Sequence, residues 1–173
     1  MPTSPELHPY LRDRPFDERR KVPVPYMNVM GDGTVNFTGI DITKVYECGT
    51  NRLCGICSKP LDYWIAFIGG PVSYANRMYS DPPMHKECAL AAVQFCPHIR
   101  VKNHRRTPAE KMLDGGLGAL PGAVDTKPDE WIIAMVRDYT IVAHPPAFLF
   151  KTAAIKGESR FRYNEAGILE PVA

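Results

Sequence analysis

The chain lacks an excess of either charge. Lysine and arginine number 21 against 19 aspartate and glutamate, a formal net charge of +2. No general attraction to polyanions follows from that balance, so any nucleic-acid surface must come from a local patch. Long apolar runs are also missing: the longest covers about six residues, against the ~20 that a membrane helix needs. Residues 1–21 hold prolines and mixed charges but no apolar h-region, which argues against a secretory signal. The expected location is the cytosol, with no membrane partner. No internal repeat is present, and 45% apolar with 23% charged residues is ordinary for a globular domain. Disordered, collagen-like and coiled-coil classes are thereby excluded.

What the chain has in quantity is proline, 17 of 173 residues, about twice the average usage. Helices should be few and short, because an internal proline removes an amide donor and clashes with the preceding turn. Residues 1–35 carry six prolines between Pro2 and Pro25 and read as an extended, polyproline-like arm. Its basic run, Arg19, Arg20 and Lys21, sits beside Asp17 and Glu18, so much of its field is cancelled locally.

Past the arm, the β-branched stretch Val35 to Tyr46 suggests a strand or two. Tyr63 to Ile68 is apolar throughout and suits a strand buried on both faces. Gly69, Gly70 and Pro71 then make a turn, with Val72 to Tyr79 returning as the partner strand. Asp81 before Pro82 reads as an N-cap with proline at the first helical position, opening a helix that runs to about Phe95. Asp114 to Pro128 is loop chemistry, rich in glycine and proline. β character returns at Trp131 to Val142, Ala147 to Ala154 and Ser159 to Tyr163, with Lys156-Gly157-Glu158 as a hairpin turn; periodicity leaves Trp131 to Val136 open between strand and short helix. The domain reading is an arm over 1–35, a central cysteine-bearing domain over 36–107, a Gly/Pro loop over 108–128 and a β-rich extension over 129–173 that packs on the same domain.

Five cysteines is an odd number, and their spacing is not that of a disulfide scaffold. Cys54-Gly-Ile-Cys57 is followed, after 27 residues, by His85-Lys-Glu-Cys88. Two pairs at this tight spacing read as a metal site. A C-x2-C turn curls both sulfurs to one side of a loop, and positions i and i+3 share a helix face. Zinc takes such sulfur and imidazole donors in a tetrahedron. Cys96 lies eight residues beyond Cys88, ~12 Å along a continuous helix, too far to share one ion; it reads as a small buried hydrophobe, and so does Cys48. Three thiolates and a neutral imidazole leave the centre at a formal −1, which Lys59 and Lys86 can soften. A closed set leaves no place for an activated water, so the metal is expected to be structural.

The segments CGICSKPL (54–61), FIGGP (67–71), SDPPMHKEC (80–88) and FCPH (95–98) resemble uncharacterised zinc-finger proteins of actinobacteria and their phages. The resemblance covers residues 50–106, with weaker echoes over 131–139. It implies an α+β fold built on a treble-clef-like finger (zinc knuckle, β-hairpin, helix) with Cys54, Cys57, His85 and Cys88 as ligands, and it implies no activity.

Two surfaces invite a partner. Arg100, Lys102, Arg105 and Arg106, with His104 among them, form the densest basic stretch and are candidates for phosphate contact. Arg160-Phe-Arg-Tyr163 alternates cation and aromatic, as surfaces that stack single strands do, and as half-buried strands also do. Metal-dependent nucleases built on a treble clef require a further histidine set around the hairpin and a hydrolytic metal. Here His85 is committed to zinc, no such order surrounds residues 63–79, and His8, His104 and His144 are scattered. Gly116-x-Gly118 is followed by Pro121 and makes no phosphate cradle. The expectation is a non-enzymatic interaction or regulatory module with one structural zinc, its arm and aromatic residues contacting a protein partner. The alternatives are a nucleic-acid binder acting through residues 100–106 and, third, a treble-clef nuclease.

Overall fold

The computed structural model describes residues 7–103, 127–145 and 147–173. In chain order its elements are α1 (Pro9–Arg12), β1 (Phe16–Asp17), β2 (Val22–Pro23), a 3-10 turn (Tyr26–Asn28), α2 (Ile42–Asn51), β3 (Ile65–Gly69), α3 (Pro71–Asn76), β4 (Met78–Tyr79), α4 (Lys86–Phe95), α5 (Pro97–Arg100), β5 (Glu130–Val136), β6 (Tyr139–His144), β7 (Ala147–Thr152), β8 (Gly157–Tyr163) and β9 (Leu169–Pro171). The architecture is mixed α and β. Sheets of order β3-β5-β8-β9 and β4-β7-β6 accompany the small β1-β2 pair.

β3 is buried at all five positions, and its burial on both faces organises the rest. It pairs antiparallel with β5, from Ile65 opposite Val136 to Gly69 opposite Ile132. β5 is itself buried at six of seven positions; a short helix would have exposed one face, so the strand alternative is the one adopted. Phe67 packs among the rings of Tyr79, Tyr139 and Phe150, at 5.2, 5.5 and 5.9 Å between centroids. These contacts join β3 to the second sheet.

Several local expectations fail for identifiable reasons. Ile42 to Asn51, within and beyond the stretch expected as strand, is helical, because Asp41 caps it by accepting from the amides of Thr43 and Lys44. Val45, Cys48 and Gly49 then form its buried stripe. The return from β3 is also different. Pro71 occupies the first turn of α3, Arg77 ends that helix at φ 54°, and the following β4 pairs with β7 instead of β3. Asp81-Pro82 does not open a helix. Pro82 itself precedes Pro83, and a residue before proline is held out of the α region. The backbone therefore stays extended to Met84, whose N–H and C=O both bond Ala66 at 3.0 and 2.8 Å, and α4 begins at Lys86.

Lys156-Gly157-Glu158 is not a hairpin turn. β7 turns back on β6, while Gly157 and Glu158 already belong to β8, opposite Met135 and Ala134 of β5. Finally, the N-terminal segment folds onto the domain instead of extending: Leu11, Val22, Val24 and Met27 are buried. The Gly/Pro loop expected over 108–128 lies, up to residue 126, outside the described residues. No helix among the described residues is long and apolar enough to cross a membrane.

Candidate metal centre

The Cys54–Cys57 loop is held by its own backbone. Leu53 and Pro60 form a bridge at its neck, Cys54 N–H donates to the Lys59 carbonyl at 2.9 Å, and Ser58 N–H donates to the Cys54 carbonyl at 2.8 Å. Ser58 takes the left-handed conformation, φ 63°, that this tight reversal requires. Neighbours on both sides fix the loop in the fold. Gly55 N–H bonds the Pro83 carbonyl at 3.0 Å, while Met27 and Tyr26 donate to Gly55 and Ile56 at 3.1 and 2.8 Å. Gly55 is needed for space. A Cβ there would stand 2.2 Å from Cγ of Pro82, a rigid ring atom. Gly55→Ala is expected to destabilise the fold by about 1–3 kcal/mol, the usual cost of overpacking, seen as a lower urea midpoint at constant metal. An unchanged midpoint would mean that Pro82 yields.

The other two donors come from the junction of Met84 and α4. His85 is the last extended residue and the N-cap of α4, and Cys88 lies in the first helical turn. There the positive end of the helix dipole faces the sulfurs. His85 Nδ1 stands 3.3 Å from Cys57 Sγ and 3.8 Å from Cys88 Sγ, and the ligand atoms of Cys54, Cys57, His85 and Cys88 all lie within 4.8 Å of one another. A tetrahedron with sulfurs at 2.3 Å and nitrogen at 2.0 Å places its donors about 3.5–3.8 Å apart, so the geometry accepts a single ion. All four side chains are buried. The opposite ring nitrogen, Nε2, is 2.7 Å from the Pro60 carbonyl. Donation of its N–H there leaves Nδ1 as the lone-pair donor toward the sulfurs.

The groups of the site are strongly coupled electrostatically. Hydrogen bonds from Cys54 and Cys88 hold the Cys57 thiol far below its ordinary value, whereas contacts with Cys54 and Cys57 push Cys88 strongly up. Burial alone would depress the His85 imidazole, yet the Cys54 and Cys57 sulfurs raise it to about 10. This donor set suits a metal such as zinc.

The remaining thiols stand apart. Burial pushes Cys48 up to about 12, and its S–H faces the Cys54 carbonyl at 3.8 Å. Cys96 caps the C-terminus of α4 and is outside the donor group. Lys59 is turned toward Asp13, 3.0 Å away, so its charge is shared there.

A second layer of residues around the centre escaped sequence reasoning. Tyr10 stacks on His85 with centroids 4.1 Å apart and planes 22° apart, and its hydroxyl donates to Asp62 at 3.0 Å. Asp62 is in turn 4.0 Å from His85 Nε2. Tyr10 and His85 are 75 positions apart, and no local pattern links them.

The basic surfaces are tied down where they are described. Arg100 donates to the Gln94 carbonyl at 3.0 Å, Lys102 pairs with Asp129 at 3.2 Å, and Arg105 and Arg106 lie outside the described residues. In β8, Arg160 bonds Glu158 and Glu130 at 2.6 and 2.5 Å, and Arg162 bonds Glu130 at 2.6 Å. Phe161 is buried, and the Tyr163 hydroxyl donates to the Ile99 carbonyl at 2.6 Å. The alternation of cation and aromatic here is that of a half-buried strand. No family model, curated protein or solved structure matches the chain, so the chemistry of this centre is argued from its own four donors.

Proposed function

We propose that this chain is a non-enzymatic zinc protein in which one structural ion, on Cys54, Cys57, His85 and Cys88, fixes a surface for contact with another protein. The observation that carries the reading is the closed, fully buried donor set. Three sulfurs and one nitrogen complete a tetrahedron, leaving no open position for a substrate or an activated water. A Cys-x2-Cys loop followed by a helix bearing the last ligand is treble-clef-like in order. The hairpin of that pattern is reduced here to the single bridge between Ala66 and Met84. Kinship with the zinc-finger proteins of actinobacteria and phages, and a cytosolic location, belong to the same proposal.

The contact surface is placed beside the metal loop. Tyr63 and Trp64 are 61% and 43% exposed, their rings 5.3 Å apart in an edge-to-face arrangement. The Arg137 guanidinium sits 4.4 Å from the Tyr63 ring centre. Tyrosine, tryptophan and arginine are the residues that carry most binding energy at interfaces. Tyr63 and Trp64 lie between the Cys54–Cys57 loop and β3, and Arg137 follows directly on β5, the strand paired with β3. The nucleic-acid alternative has less support, since its described cations already have carbonyl or carboxylate partners.

Affinity capture from the native host, analysed for protein and nucleic acid together, tests the reading. A protein retained at physiological salt by the wild type, and lost by a Tyr63→Ala, Trp64→Ala double variant of unchanged metal content, is expected. Capture of nucleic acid alone, released by salt and weakened by alanine at Arg100, Lys102, Arg105 and Arg106, would replace the reading with the nucleic-acid one.

A further inference from the structure

We infer that Tyr10 is the shield of the metal centre, and that the segment carrying it is the door through which the ion enters and leaves. The inference rests on the four-donor site being a metal site. Tyr10 lies in α1, a helix of only four residues, and too short to be stable alone. Its ring lies flat on His85, the donor whose Nε2 edge is held by the Pro60 carbonyl and whose backbone caps α4. The contacts that hold it there include the hydroxyl bond to Asp62, the Lys59 ammonium 5.9 Å from the Tyr10 ring centre, the surface Asp13–Lys59 pair, and the burial of Leu11.

A second observation concerns the packing beside the segment. A partly open pocket of about 70 Å³ adjoins it at Leu11, lined also by Val22 and Pro25 and by Ala92, Phe95 and Ile99 on the α4–α5 side. Atoms facing a void lose the dispersion contacts that a filled core would give them. Segments with few such contacts open locally at lower free energy than the fold as a whole. The other walls of the centre, the Cys54–Cys57 loop and the start of α4, are stitched by backbone bonds to β3 and to residues 26–27. Lifting α1 is therefore the motion that uncovers His85 with least disruption. Metal binding and the seating of α1 must then favour one another, because coupling between two sites is reciprocal.

The test uses the full chain loaded with zinc and follows transfer of the ion to an excess of a chromophoric chelator. Tyr10→Ala should accelerate release by about 10–100-fold, the range typical for loss of an outer partner of a metal ligand, with one zinc still bound at the start. Tyr10→Phe keeps the stack and loses only the hydroxyl bond, so its rate should fall between the two. If Tyr10→Ala does not fold, Tyr10→Leu, which keeps an apolar plug without the planar stack, takes its place and should release faster than Tyr10→Phe. Release at the wild-type rate from the alanine or leucine variant would overturn the shield while leaving the metal centre standing. A wild-type protein that binds no metal would overturn both.

Discussion

Cys88→Ser is expected to empty the metal centre and unfold the domain. Cys88 is fully buried, supplies its sulfur from the first turn of α4, and belongs to the same core cluster as Ile65, Phe67, Ala134 and Val136. A structural zinc site in a small finger holds roughly 10–16 kcal/mol of apparent binding free energy. Whole domains are stable by only about 5–15 kcal/mol. Loss of the ion is thus comparable with the total. Because the ligands share one core with β3 and β5, the damage should spread beyond the loop itself. Circular dichroism should show no cooperative thermal transition for Cys88→Ser, nor for the wild type stripped by a strong chelator. Cys54→Ser should behave alike. Cys48→Ser and Cys96→Ala should keep their zinc; equal metal loss in Cys96→Ala would show that the ligand set is wrong.

Phe67→Ala should cost about 3–5 kcal/mol, the range for removing a fully buried phenylalanine. The ring is inaccessible to solvent and joins Tyr79, Tyr139 and Phe150, so its removal opens a cavity at the junction of both sheets. The walls come from β4, β7 and β6 of one hydrogen-bonded sheet and cannot collapse inward cheaply. Urea unfolding at saturating zinc measures the loss directly. Tyr63→Ala, only four positions away but largely exposed, should change stability by less than about 0.5 kcal/mol. Similar effects from the two substitutions would contradict the assignment of the core.

The donor set was legible because metal ligation leaves a short-range signature: two residues on a tight loop, two near the start of a helix, and residue types of one chemical class. β3 was legible for a similar reason, since the apolar run Tyr63 to Ile68 leaves few other fates for a segment so short, although Tyr63 and Trp64 precede the strand and are exposed instead of buried. Where the reading failed, a single cap or proline outweighed propensity. Asp41 turned a β-branched stretch into α2, Pro71 at its first turn made α3, and Pro83 delayed α4 by holding Pro82 extended. Strand pairing was not readable at all. β8 prefers β5 to its chain neighbour β7 because its buried Phe161 lies opposite Trp131, a match between distant residues. Tyr10 belongs to the same category, its position over His85 being a consequence of the assembled fold.

The most direct test of the metal centre is elemental analysis of protein purified without added metal, paired with a thiol count before and after chelation. About one zinc per chain is predicted, from one closed tetrahedron of three thiolates and one imidazole, with the ligands Cys54, Cys57 and Cys88 and the buried Cys48 becoming reactive when its removal unfolds the domain. Protein that is folded and free of zinc, or that carries iron with the visible absorption of a cluster, would contradict it.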